Sequence, residues 1–166
     1  MLKKIGKTFD HAQILAEYLS FQEGNILPDK YKVDTIFNNG YTELAINTCP
    51  YTVSICEELK KDCKFNFVVF RLVASRTTFL FHTDDDVAVP VYHIPVTTNE
   101  GCFFIFNNHL FPMQELGQLY AVNPREYHNF INGGLTPRLH VHFVYDLEGK
   151  YQNNAYTIDG KGHARL

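Results

Sequence analysis

From Phe65 onward the chain is a series of short β-prone runs with turn residues between them: Phe65–Val73, Thr77–His82, Val87–Val96, Cys102–Phe106, Gln118–Val122 and Arg138–Tyr145. Several strands of that length at such intervals suit an antiparallel sandwich or barrel. The residues before Phe65 have another texture and carry helix signals. Asp10 is an N-cap candidate, and Ile14, Leu15, Tyr18 and Leu19 then fall on one helical face. Gly24 to Pro28 ends that helix. Strands are predicted around Lys32–Phe37 and Thr42–Ile46, separated by the turn Asn38-Asn39-Gly40. Pro50 opens a second helix whose apolar side is Val53, Ile55, Cys56 and Leu59, with Lys60 and Lys61 near its end.

Helices first and a continuous β region after is the layout of a barrel buttressed on one side. The expected fold is mainly β: a double-stranded β-helix (a cupin-like jelly roll) with N-terminal helices packed against it. At 166 residues the chain is expected to form a single domain, 1–166. Within it, 1–64 is the helical and β N-terminal part, 65–146 the core and 147–166 a C-terminal extension in which Tyr151–Ile158 could add an edge strand. The aromatic content of 14%, all Phe and Tyr, suits a β-rich core.

A formal charge of −3 gives no reason to expect nucleic acid or an anionic membrane as partner. The basic start, Met1-Leu2-Lys3-Lys4, is not followed by an apolar run of signal-peptide length. No stretch approaches the roughly 18 apolar residues needed to span a bilayer, so a cytoplasmic location is expected. Cys49, Cys56, Cys63 and Cys102 form no CxxC pair and read as small buried hydrophobes, reduced rather than bridged.

The chemistry-bearing residues concentrate in the β region. His82 and Asp84 stand two apart, and side chains two apart in a strand project to the same side of a sheet. His128, from a distant strand, completes two imidazoles and one carboxylate. That facial triad suits non-haem Fe(II) and leaves three positions open for a cosubstrate and O2. Arg138 adds a permanently charged fork suited to a carboxylate such as the far end of 2-oxoglutarate. His140 and His142 alternate with Arg138 and should face inward with it, as cavity-lining residues or, in another register, as a ligand in place of His128.

The ordered segments Phe81-His-Thr-Asp, His93-Ile-Pro-Val, Glu100-Gly-Cys, Tyr127-His-Asn-Phe-Ile-Asn-Gly-Gly and Arg138-Leu-His-Val-His-Phe-Val-Tyr-Asp146 resemble the aspartyl/asparaginyl β-hydroxylase family. The resemblance implies iron ligands at His82, Asp84 and His128. It also implies that Arg138 pairs with the distal carboxylate of 2-oxoglutarate and that His93 lies beside the cosubstrate. The carboxylate ligand, Asp84, is a feature that bacterial members commonly retain. One position departs from the pattern: relatives carry Arg-x-His where this chain has Val91-Tyr92-His93. Arg71, on the preceding strand, is a candidate to supply the missing charge toward substrate, and His140 a candidate substrate contact. The implied activity is that of an Fe(II)- and 2-oxoglutarate-dependent dioxygenase hydroxylating an unactivated C–H of an amino acid or peptidyl residue, with release of succinate and CO2. The alternative is a non-catalytic or 2-oxoglutarate-independent metal-binding cupin.

Overall fold

The structure, a computed structural model, describes residues 2–21 and 31–149. The turn at 24–28 and the proposed edge strand at 151–158 lie outside those residues. The elements in chain order are β1 (Leu2–Thr8), α1 (His11–Phe21), β2 (Tyr31–Asn38), α2 (Glu43–Thr48), α3 (Pro50–Leu59), β3 (Phe67–Val73), β4 (Thr77–Thr78), β5 (Val91–Thr97), β6 (Cys102–Phe106), β7 (His109–Pro112), β8 (Gln118–Val122), β9 (His128–Asn132) and β10 (Arg138–Val144). They form a six-stranded sheet ordered β1-β8-β5-β10-β3-β2 and a four-stranded sheet ordered β4-β9-β6-β7. Along the chain the eight strands β3 to β10 alternate between the larger and the smaller sheet, except at the β6–β7 hairpin, where both strands belong to the smaller one. That is the winding of a double-stranded β-helix, with β1 and β2 added at the edges of the larger sheet.

The middle of the larger sheet, β3, β5 and β10, is buried on both sides, and the alternation along its strands divides the work. Val68, Phe70 and Leu72 of β3, Ile94 and Val96 of β5, and Leu139, Val141 and Phe143 of β10 pack outward against Ile14 and Tyr18 of α1 and Ile55, Cys56 and Leu59 of α3. Val73, Tyr120 and Val122 face inward and meet Phe104, Phe106 and Phe130 of the smaller sheet. Every residue of β10 is therefore buried. Its inward set, set by pairing with β3 and β5, is Arg138, His140 and His142.

The helices are fixed by side-chain caps. Asp10 Oδ1 accepts the Ala12 and Gln13 N–H groups at the start of α1. Cys49 offers α3 no side-chain cap; the buried Glu17 carboxylate of α1 does so instead, accepting from Tyr51 N–H at 2.6 Å and from Thr52 N–H and Oγ1 at 2.8 and 2.7 Å. A charged acceptor at a helix N-terminus is stabilised by the partial positive charge there. Glu17 thus joins Ile14 and Tyr18 on the buried side of α1, while Leu19, expected on that side, is 62% exposed.

Two further expectations are corrected. Thr42–Ile46 is not a strand: Thr42 Oγ1 accepts the Ala45 N–H at 3.1 Å and starts α2. Leu44 and Ile46, whose alternation suggested a strand, are 48% and 57% exposed. The segment Thr77–His82 is paired as a strand only at Thr77–Thr78 and again at His82. The structure also adds β1, β9 and β7, the last reached through Asn107 and Asn108, both in the left-handed region that asparagine tolerates in tight hairpins. The four cysteines are free and buried. Among the described residues no helix is long and apolar enough to cross a membrane.

Candidate metal centre and cavity

His82 and His128 sit directly opposite each other where the β4 and β9 chains meet. Each donates its backbone N–H to the other's carbonyl at 2.9 Å. This reciprocal pair puts both imidazoles on the cavity side, with ring centroids 4.5 Å apart. Phe81 and Tyr127, one residue earlier on each chain, stack at 5.2 Å. Asp84 is not on a strand, as the spacing suggested, but in the loop that follows. Its N–H donates to the Pro124 carbonyl at 2.9 Å, and that bond brings the carboxylate back toward the histidines.

The backbone also fixes the histidine tautomers. His82 Nδ1 lies 2.7 Å from the Leu80 carbonyl and His128 Nδ1 2.8 Å from the Glu126 carbonyl. A carbonyl can only accept, so in the neutral rings the proton is on Nδ1 and the Nε2 lone pair is free. Those two Nε2 atoms lie 3.5 and 3.9 Å from the Asp84 carboxylate oxygens. All three potential ligand atoms fall within 4.8 Å of one another. Burial lowers the His128 pKa, although Asp84 raises it in part, which keeps that ring available as a neutral ligand. The donor set fits a divalent metal with borderline nitrogen and hard oxygen ligands, and the carbonyls behind the histidines supply the support such ligands need.

Deeper in the same cavity is a second group. Arg138, His93, His142 and Arg71 line it with Val91, Phe104 and Phe130. Arg138 is buried, with its Cζ 3.9 Å above the Phe130 ring and 5.4 Å from that of Phe104. Among the described residues it makes no ion pair, and its Nε has no hydrogen-bond partner. Burial lowers its pKa, but from a starting value so high that the guanidinium stays charged. His93, His140 and His142 are buried and mutually close. Burial, followed by the neighbouring positive charges, holds the pKa of each well below the ordinary histidine value, so all three are neutral.

The sequence-predicted residues therefore gather in two places. His82, Asp84 and His128 converge at one, which makes His140 and His142 unnecessary as substitutes there. Arg138, His93 and Arg71 share the other. His140, expected as a substrate contact, lies against Arg138 and is not part of the cavity wall. Val91 is buried and packs with Phe67, Val69, Val87 and Val144, so the wall where relatives carry an arginine is apolar here. Sequence reasoning did not find the Pro124 carbonyl or the Phe104, Phe130 and Met113 cradle of Arg138. Inward alternation in β6 and β9 could have pointed to the two phenylalanines.

The sequence profile described as Aspartyl/Asparaginyl beta-hydroxylase matches residues 10–147. No curated protein matches the sequence. Among solved structures, a Trichoplax adhaerens prolyl hydroxylase in complex with a hypoxia inducible factor peptide fragment aligns with a TM-score of 0.62 at 12% identity, over 92% of this chain and 86% of its own. A Pseudomonas putida prolyl-4-hydroxylase aligns at 0.58 and 13% identity, over 89% and 93%. A 2OG-Fe(II) oxygenase family oxidoreductase from Burkholderia pseudomallei aligns at 0.56 and 13%, over 81% and 78%. At these identities the likeness is one of fold.

Proposed function

The chain belongs to the aspartyl/asparaginyl beta-hydroxylase family, and from that premise we propose that it is an Fe(II)- and 2-oxoglutarate-dependent dioxygenase. It hydroxylates an unactivated C–H bond of an amino acid or peptidyl residue and releases succinate and CO2. The observation that carries this reading is the pairing within one cavity of two features. One is a set of two Nε2 lone pairs and a carboxylate; the other is a buried guanidinium that lacks an ion pair among the described residues. A buried charge is costly unless it is paired, so an anionic ligand is the natural complement of Arg138.

In this reading His82, Asp84 and His128 hold the metal from one face. Arg138 binds the distal carboxylate of 2-oxoglutarate, and His93 lies beside the cosubstrate. The chemistry supplied by bound Fe(II) is the coupling of 2-oxoglutarate decarboxylation to oxidation by O2, one oxygen atom ending in succinate and the other in the substrate. The protein's share is placement. The reciprocal His82–His128 pair and the Pro124 carbonyl fix the ligands, the guanidinium fixes the far end of the cosubstrate, and Phe104, Phe130, Val91 and Val122 exclude water.

The apolar wall at Val91 favours a substrate that is neutral where it passes that wall, since an unpaired carboxylate would be costly to bury there. Arg71 is the residue that would meet a substrate charge elsewhere in the cavity. The fold relative with a bound peptide fragment supports a peptidyl substrate, alongside free amino acids. Buried unbridged cysteines accord with a reducing, cytoplasmic setting. The alternative, a metal-binding cupin without 2-oxoglutarate chemistry, leaves Arg138 without a purpose.

The test is succinate release from the Fe(II)-loaded protein with 2-oxoglutarate and pools of amino acids and peptides. Slow release without substrate and faster release with one or more pools is expected. No succinate under any condition would leave the alternative ahead.

A further inference from the structure

Among the described residues, the one nitrogen or oxygen atom that the Arg138 guanidinium bonds is Nδ1 of His140, 2.6 Å from Nη2; Met113 Sδ lies 3.6 Å from the same nitrogen. A guanidinium carries donors only, so His140 Nδ1 must be the acceptor. That fixes the tautomer: the ring is neutral with its proton on Nε2, in agreement with a pKa pushed down by burial and by Arg138. His140 Nε2 is itself buried. The ring thus bonds the guanidinium through Nδ1 and on its other sides packs beside His93 and His142, with ring centroids 5.9 and 6.0 Å away.

This bond has a geometric effect. Arg138 Cζ stands 3.9 Å over the Phe130 ring, and the attraction of a cation to a ring face hardly distinguishes one orientation of the guanidinium's N–H groups from another. Holding Nη2 on His140 removes that freedom and decides which N–H groups are left to face the cavity. His140 touches no cavity space itself. Resting on the function proposed above, we propose that His140 is a positioning residue that orients Arg138 and so sets the length of keto diacid the site accepts. With the metal ligands fixed at one end and the guanidinium fixed at the other, only one number of intervening methylenes lets both ends bind. An unheld guanidinium would tolerate a diacid one methylene longer.

The experiment uses the full-length protein loaded with Mn(II), with calorimetric binding of 2-oxoglutarate, oxaloacetate and 2-oxoadipate. In His140→Leu, 2-oxoglutarate should bind roughly ten-fold more weakly, its preference over 2-oxoadipate should shrink, and Mn(II) affinity should be unchanged. In His140→Asn, whose amide oxygen can accept in place of Nδ1, affinity and preference should return to near wild type. Wild-type affinity and selectivity in His140→Leu, or equal losses in both variants, would overturn the role. Should His140→Leu fail to fold, 15N NMR of the wild-type histidines decides the matter: protonation at Nε2 of His140 is expected, and protonation at Nδ1 overturns the inference. If the wild type binds no keto diacid at all, it is the underlying functional reading that fails, and this inference with it.

Discussion

The two ends of the cavity are prepared in opposite ways. At the outer end the histidines are finished: each Nδ1 is committed to a backbone carbonyl, and Asp84 is tied to Pro124, so every ligand lone pair is aimed before anything binds. At the inner end the groups are left open. His93 Nδ1, His140 Nε2, both nitrogens of His142 and Arg138 Nε are buried without hydrogen-bond partners among the described residues. The outer end resembles a socket with its wiring complete, while the inner end carries unspent hydrogen-bonding capacity and positive charge that a polar anion would satisfy. Metal binding should therefore depend on a few exact bonds, and ligand binding at the inner end on relief of an unfavourable burial.

The largest effect that can break this contrast is at the outer end. Asp84→Ala or His128→Ala should weaken metal binding by more than the roughly 10- to 100-fold seen when outer supporting partners of metal ligands are lost. Succinate release should disappear with it. Metal titration of the variants checks this, and a fully metal-loaded Asp84→Ala protein at wild-type affinity would break the assignment.

Next is Arg138. Arg138→Met should weaken 2-oxoglutarate on the order of ten- to a hundred-fold while leaving metal affinity in place. Because the wild-type charge is buried without an ion pair among the described residues, the same variant should match or exceed the wild type in Tm when no ligand is present. A marked fall in apo-protein Tm would show that the inner end is already satisfied, contrary to the comparison.

A smaller and graded effect is expected from pH. His93, His140 and His142 have folded pKa values depressed below the ordinary value. Below about pH 6.5 the unfolded chain takes up protons that the folded chain refuses. Stability should thus be level above that pH and fall as pH drops below it, by up to about 1.4 kcal/mol per pH unit for each such histidine. Denaturant melts at pH 7.5 and 5.5 measure the slope, and His142→Phe should flatten it. The smallest effect is expected at Phe130. Phe130→Leu keeps an apolar floor but removes the ring beneath Arg138, so it should weaken 2-oxoglutarate only several-fold, a contribution of about 1 kcal/mol.

How far these ends were legible in the sequence follows from what strand alternation encodes. Alternation gives the face of a residue, so Arg138, His140 and His142 were correctly expected to point inward together. It does not give depth, and so His140 was expected at the substrate when it lies behind Arg138. His82 ended a predicted β-prone run, whereas β9, which carries His128, fell in none of the predicted runs, so that histidine was readable from its order after His82 and Asp84 and not from its local pattern. Asp84 was readable as a residue type, but its position depends on Pro124, a bond across the fold with no local signal. Thr42 shows the opposite limit: the pattern of Leu44 and Ile46 imitates a strand, and a single hydroxyl at an N-cap decides for a helix. In α1 the inward Glu17 breaks the apolar stripe because its partner is the start of another helix, which periodicity cannot see.

The order β5-β10-β3 has a consequence for how the molecule is made. Among the described residues β10, in the middle of the larger sheet, is the last strand synthesised, and it pairs between two strands that come earlier in the chain. Until the ribosome has released residues 138–144, β3 and β5 have no common neighbour, and each awaits a partner far along the chain, the kind of pairing that folds slowly. The same seven residues deliver Arg138, His140 and His142. Closure of the sheet and arrival of these three side chains are thus a single event, and a nascent chain cut short of Arg138 would be left with an open sheet and a cavity whose inner end lacks Arg138 and His142.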